Sequence, residues 1–260
     1  MFIRDTWVKN TKFHSLPTKA VLDEVVVRSR KVLEKGRQPV VVFDLDSTLF
    51  DVSRRSYEIL QEWMSHPSSG ICEETVTLLR GLKPEEMKYS LQDVWEGRNI
   101  PHDRAPFEEH MKSAKHFWRQ RFFGNDYLHH DVPTRGAIQF VKNLYELGVK
   151  VVYLTGRDVP QMAFGTFDQL KMHGLPIEVE RTRLILKPKR AMDDLDFKTQ
   201  AAQTIKGWGE VVASFENEPK NLVAMAKVFG GDTMNVFIES VSSDHPAPAG
   251  EGIYRIEYFD

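Results

Sequence analysis

Apolar positions along the chain follow two spacings. Short β-branched runs occur at Val40-Val41-Val42-Phe43, from Val149 to Leu154, and in "TRLILK" (182–187), "EVVASF" (210–215) and "MNVFIE" (234–239). Uninterrupted runs of this kind predict strands covered on both faces, as in parallel sheets. Between them lie stretches with helical spacing: 17–35 ending at Gly36, 134–147 stopped by Gly148, 159–173 stopped by Gly174, about 197–207, and 219–229. Gly148 reads as the residue just past a helix end, where a left-handed conformation favours glycine. The alternation predicts an α/β fold with a doubly wound, Rossmann-like parallel sheet. In such sheets ligands bind beyond the carboxyl ends of the strands. "SSDHPAPAGEG" (242–252) reads as an exposed loop before a last short strand, "IYRIEYF".

One interval breaks the alternation. Residues 53 to about 130 separate the first strand from the helix that leads to the second. A crossover between parallel strands needs only about a dozen residues. The interval holds candidate helices near 54–65, 73–81, 84–96 and 105–123 and little β-branched patterning, with "HPSSG" (66–70) as a loop. The expected organisation is an α/β core of residues 1–52 and 131–260 with a mainly helical cap, 53–130, inserted beside the site.

Composition narrows the class. The chain has 260 residues, 41% apolar and 28% charged, with a formal net charge of −2. That is ordinary for a globular protein and gives no electrostatic reason for nonspecific binding to nucleic acid or anionic membrane. Cys72 is the single cysteine, so no intrachain disulfide can form, which fits a reducing compartment. The N-terminal stretch lacks the apolar run of a secretory signal, and no apolar run approaches the roughly 18 residues of a membrane span. The expectation is a soluble cytoplasmic protein.

Three strand ends carry distinctive polar clusters: "DLDST", "LTGRD" and "FENEPKN". Asp44 and Asp46 stand one residue apart where a buried strand stops. Their mutual repulsion calls for a divalent cation. A carboxylate so placed can attack phosphorus and form an aspartyl-phosphate. The second aspartate could protonate the leaving oxygen and then activate water. Thr155 could bind a phosphoryl oxygen through its hydroxyl, and amides after the strand, as at Gly156, could add donors. A lysine to balance phosphoryl charge and a further acid on a neighbouring strand end would complete the site.

These residues resemble the haloacid dehalogenase-like phosphohydrolases. The first motif of that family, hhhDxDx[ST], is similar to "VVFDLDST", and the second, a strand ending in [ST], to "VVYLTGR". The resemblance implies that Asp44 is the nucleophile, Asp46 the general acid/base and Thr155 the phosphate-binding hydroxyl. It also implies that Asp44 and the backbone carbonyl of Asp46 help hold Mg2+. The motif lysine is matched best by Lys198 in "DLDFKTQ", with Lys187 in "LKPK" competing. The fourth motif matches "VVASFENEPKN" with a departure: the leading acid is Glu216 where the family usually has aspartate. Asn217, Glu218 and Asn221 are candidate helpers at the metal. An insertion directly after the first motif resembles the family's C1 caps, and "TGR" with Gly165-Thr166 downstream resembles its acid-phosphatase-like members.

The implied activity is Mg2+-dependent hydrolysis of a small phosphorylated metabolite. The alternatives are a nucleotide or nucleic-acid-end phosphatase, a phosphotransferase or mutase, and a non-catalytic binding protein on the same core. Other features have plainer readings. "HHD" (129–131) suits a hinge or loop better than a transition-metal site. "KHFWRQRFF" (115–123) could stack bases but reads first as an amphipathic helix packing its aromatics. Arg157 is expected to order its loop, and Cys72 to be an inert residue of the cap.

Overall fold

In the computed structural model, described over residues 3–66, 70–101, 103–243 and 245–260, the expected strands assemble into one sheet. It comprises β1 (Lys12–Phe13), β2 (Pro39–Phe43), β5 (Lys150–Asp158), β6 (Thr182–Lys187), β7 (Glu210–Glu216), β8 (Met234–Ile238) and β9 (Glu251–Ile256). The order is β1-β9-β8-β7-β2-β5-β6, and every neighbouring pair is parallel. All five residues of β2 are buried. α1 spans Ile3–Asn10, and Val41 and Phe43 join an apolar layer with α2 (Thr18–Glu34) and α7 (Ala137–Leu147). Val40 and Val42 join another with α9 (Asp194–Lys206) and α10 (Pro219–Phe229). Burial on both faces is why this strand shows no polar alternation.

Helix ends follow their local chemistry. α7 stops at Gly148, whose φ of 106° is accessible to glycine at little cost. α8 (Val159–Met172) is capped by Asp158, which accepts from the Gln161 amide. α9 starts at Asp194, three residues before the expected Phe197, because Asp193 caps it by accepting from the Leu195 and Asp196 amides.

Three further differences are local. β1 was not expected: two residues are too short to carry a period, and this edge strand exists through its pairing with β9. β5 runs on to Asp158, still pairing with β6 after a register shift between Thr155 and Asp158. The helix expected at 84–96 is two pieces, a 3-10 turn at Pro84–Glu86 and α5 (Leu91–Gly97). Ser90 separates them by forming a capping box with Asp93.

The interval after β2 is helical. α3 (Ser53–Ser65), α4 (Glu73–Leu79), α5 and α6 (Phe107–Phe122) enclose an apolar cluster of their own that includes Trp63, Leu79, Trp95, Met111 and Phe117. α6 packs its aromatics within this unit: Phe117 is buried, Trp118 stacks on Phe122, and Arg121 lies over the Phe117 ring at 3.4 Å. The chain leaves and re-enters the core side by side, because β3 (Phe50–Asp51) pairs antiparallel with β4 (Val132–Pro133). His129 and His130 sit in a 3-10 turn, Leu128–His130, just before that return. No helix among the described residues is long and apolar enough to cross a membrane.

Candidate active site

Strand order brings the polar clusters together. β2 lies between β5 and β7, so Asp44 and Glu216 stand at the carboxyl ends of two adjacent strands, and Thr155 lies in the neighbouring β5 where its pairing with β6 shifts register. After Asp44 the chain turns tightly: Thr48 and Phe50 donate their amides to the Leu45 carbonyl, and Ser47 donates to the Phe50 carbonyl. Ser47 takes a left-handed φ of 59°, a conformation that costs a non-glycine residue about 1–3 kcal/mol. The Ser240 hydroxyl donates to its carbonyl at 2.5 Å and helps hold it there.

Lys198 is the centre of one half of the site. Its ammonium donates to Asp44 Oδ1 at 2.7 Å and to Glu216 Oε2 at 2.6 Å, and all three residues are buried. Two carboxylates therefore share one cation. Burial, outweighing the attraction of Lys198, raises Asp44 above the usual carboxylate range. Burial and then the charge of Asp44 push Glu216 up to about 8. Burial alone would lower Lys198, but the two carboxylates outweigh it and the ammonium is held charged.

Asp46 belongs to a second, different cluster. Arg157 Nε donates to both of its oxygens at 3.2 and 3.1 Å, and Arg157 Nη2 donates to Oδ1 at 2.6 Å. Arg55, from α3, donates through Nη2 to the same Oδ1 at 2.6 Å. Both guanidinium groups also reach Asp131. Arg55 donates to it through Nε at 2.7 Å and Nη2 at 2.5 Å, and Arg157 through Nη2 at 3.0 Å. Gln169 adds a further donor to Asp131 at 2.8 Å. Burial would raise Asp46, but Arg157 and then Arg55 outweigh it, and its carboxyl is held well below the usual range. Arg55, likewise opposed by burial, is held charged by Asp131 and Asp46.

The rest of the mouth carries further polar groups. The Thr155 hydroxyl accepts from the Arg157 amide at 3.2 Å, which leaves its proton to donate to a ligand. Gly156 lies close under the Asp194 carboxylate, which a Cβ there would approach to 2.9 Å. Asp194 is held by Lys187 at 2.5 Å. Glu218 accepts from the Ser243 amide at 2.7 Å and its hydroxyl at 2.5 Å, while burial raises its carboxyl. Tyr89, from the helical unit, is about half exposed. Its hydroxyl is nevertheless pushed up to about 12, first by desolvation and then by the charges of Glu218 and Asp194. Tyr89 therefore lies within electrostatic reach of these two carboxylates.

The two candidate lysines are thus separated. Lys198 touches Asp44, whereas Lys187 is engaged by Asp194. Asn217 donates its amide to the Val241 carbonyl and accepts from the Thr48 hydroxyl, so its side chain is tied on both ends. Asn221 is buried in the first turn of α10. Cys72 has a polar contact that the sequence did not suggest: its sulfur lies 3.6 Å from the Thr75 hydroxyl, which is 2.8 Å from His110 Nδ1. Arg55, Asp131, Gln169 and Tyr89 were also absent from the expected site. No local spacing marks them, since Arg55 and Asp131 are 76 residues apart.

No group of three metal-ligating side chains stands ready among the described residues. The chemistry of Asp44 and Glu216 nonetheless fits a hard divalent cation, which takes carboxylate, carbonyl and water oxygens together. Their excess of negative charge over Lys198 is what such an ion would relieve.

No family model and no curated protein matches this chain. Solved structures do. A candidate phosphatase from Clostridium difficile is 14% identical, with 79% of this chain and 87% of that one covered at a TM-score of 0.51. The two chains share an α/β fold. Two further solved structures match at lower similarity. A haloacid dehalogenase-like family hydrolase from Streptococcus pneumoniae is 14% identical over 79% of this chain and 87% of that one, with a TM-score of 0.45. A HAD-superfamily hydrolase from Ehrlichia chaffeensis is 13% identical over 86% and 93%, with a TM-score of 0.47. At these identities the likeness concerns the fold alone.

Proposed function

We propose that the chain is a Mg2+-dependent phosphomonoester hydrolase of the haloacid dehalogenase-like type, acting on a small phosphorylated metabolite. The observation that carries this reading is the Asp44–Lys198–Glu216 cluster at the ends of two adjacent strands. It offers a carboxylate nucleophile, a phosphoryl-binding ammonium and a charge deficit suited to a cation in one buried place. Asp44 attacks phosphorus while the leaving oxygen takes a proton from Asp46. Water, giving its proton to Asp46, then releases phosphate from Asp44. Lys198, the Thr155 hydroxyl and the Gly156 amide bind the phosphoryl oxygens in both steps, as preorganised donors. Asp44, Glu216 and the Asp46 backbone carbonyl would hold Mg2+, which supplies charge neutralisation between the nucleophile and the phosphoryl group.

The arginine pairing of Asp46 favours its ionised form, the state that accepts a proton from water; the proton it passes to the leaving oxygen in the first step is one that a monoanionic phosphomonoester brings to the site. The helical unit of residues 53–130 serves in this reading as a cap, and Arg55 is a residue of it that touches Asp46. The test is phosphate release from a panel of phosphomonoesters with and without Mg2+. Release that needs both Mg2+ and Asp44 is expected. Release that is indifferent to Mg2+, or that survives in Asp44→Asn, contradicts the reading.

A further inference from the structure

Arg55 is a fully buried cation with partners on two sides. Toward the core its guanidinium holds Asp131 by two hydrogen bonds and Asp46 by one. Toward the helical unit its Nη1 donates to the Phe122 carbonyl at 3.2 Å, and its plane lies 4.3 Å from the Phe122 ring centre. Arg55 is the third residue of α3, just past the outgoing connection, and Asp131 immediately precedes β4 on the returning one. The pair therefore closes the two connections immediately beyond the β3–β4 ladder. Arg157 stands differently. Besides Asp46 and Asp131 it reaches Thr166 at 3.3 Å and Gln169 at 2.7 Å, both on the core helix α8. One of the two cations that fix Asp46 is thus anchored in the core, and the other is anchored to α6.

We propose that Arg55 is a positioning residue for Asp46, and that through Arg55 the seating of the helical unit sets where the Asp46 carboxylate stands. The inference rests on the reading of Asp46 as the group that transfers the proton. In the first step the bond from Asp44 to phosphorus forms, the bond from phosphorus to the ester oxygen breaks, and that oxygen takes a proton that a monoanionic ester brings in and Asp46 relays. A displaced α6 draws Arg55 away, Asp46 keeps only Arg157, and its carboxylate is free to rotate. A guanidinium suits this joint because its planar fork spreads its donors over three nitrogens: Nε and Nη2 hold Asp131, Nη2 also reaches Asp46, and Nη1 reaches the Phe122 carbonyl, a span that one ammonium nitrogen does not cover.

A leaving-group comparison tests the proposal. An alkyl phosphate needs a proton on its departing oxygen, whereas 4-nitrophenyl phosphate departs with little help. Turnover of both is measured at saturating Mg2+ for the wild type, Arg55→Gln, Arg55→Lys and Asp46→Asn. Proton transfer by a placed side chain contributes about 10²–10⁴-fold, so misplacing Asp46 should lower alkyl turnover by about tenfold or more relative to aryl turnover. Arg55→Gln should shift the ratio in the direction of Asp46→Asn, and Arg55→Lys should shift it less. If Arg55→Gln does not fold, Arg55→Lys, which keeps the charge and loses the fork, reads the same ratio. A wild-type ratio in a folded Arg55 variant overturns the proposal, as does an equal loss on both esters. If the wild type turns over neither ester, the hydrolase reading falls and this inference with it. An unmoved ratio in an active enzyme sinks the inference alone.

Discussion

The two carboxylates of "DLDST" are one residue apart, yet they live in opposite electrostatic surroundings. Asp44 and Glu216 share a single lysine, which does not offset their burial, and both carboxyls are raised, Glu216 also by the charge of Asp44. Asp46 and Asp131 share two arginines, so the charges balance and Asp46 is lowered. Each arrangement suits a different task. In the proposed function the imbalanced half is where a divalent cation would offset the carboxylates and the phosphoryl group. The balanced half is a frame whose members satisfy one another. A pair that looks symmetric in the sequence is thus divided by its counter-ions.

The largest effect that can break this comparison lies in the balanced half. Asp131→Asn leaves two buried guanidinium groups facing one carboxylate, and removing one partner of a buried ion pair costs about 3–5 kcal/mol. Denaturant unfolding should show a loss of that size. A change below about 1 kcal/mol, the scale of exposed pairs, would mean that the frame is not holding the fold together.

A smaller effect, with a sign, belongs to the imbalanced half. In the metal-free chain Glu216 is raised from 4.5 to about 8. Between those values the folded state keeps a proton that the unfolded chain has released. Its contribution to stability is therefore largest below about 4.5 and is lost as pH rises toward about 8. The melting temperature without Mg2+ should fall over this interval, more steeply in the wild type than in Glu216→Gln. Mg2+ should raise it most at the upper end. Identical pH slopes for the two proteins, or no response to Mg2+, would show that Glu216 is not strained by its neighbours.

How much of this was legible depended on range. β2 and the start of β5 were legible because Val40–Phe43 and Val149–Leu154 are dense local signals. α10 was placed at 219–229 as observed, since Pro219 and Gly230 punctuate it. Asp44, Thr155, Lys198 and Glu216 could be picked out because each lies at or near the end of an apolar run or helix that is itself readable. The frame around Asp46 could not be. Arg55 looks like one of two adjacent surface arginines, and Asp131 like the tail of a histidine-rich loop. Only the β3–β4 pairing, two residues per strand, brings them together, and strands that short leave no period. Tyr89 was hidden for a related reason: the loop before α5 shows its caps in the sequence but not what lies across from it.

The most direct test of the central claim is to mix the chain with Mg2+ and a turned-over phosphomonoester, quench in acid within a single turnover, and map the phosphoryl group by peptide mass spectrometry. The account predicts phosphoryl on the peptide carrying Asp44, at the side chain of Asp44, and none in Asp44→Asn. Phosphate release with no phosphoryl group ever on Asp44 would contradict it, whatever the fold suggests.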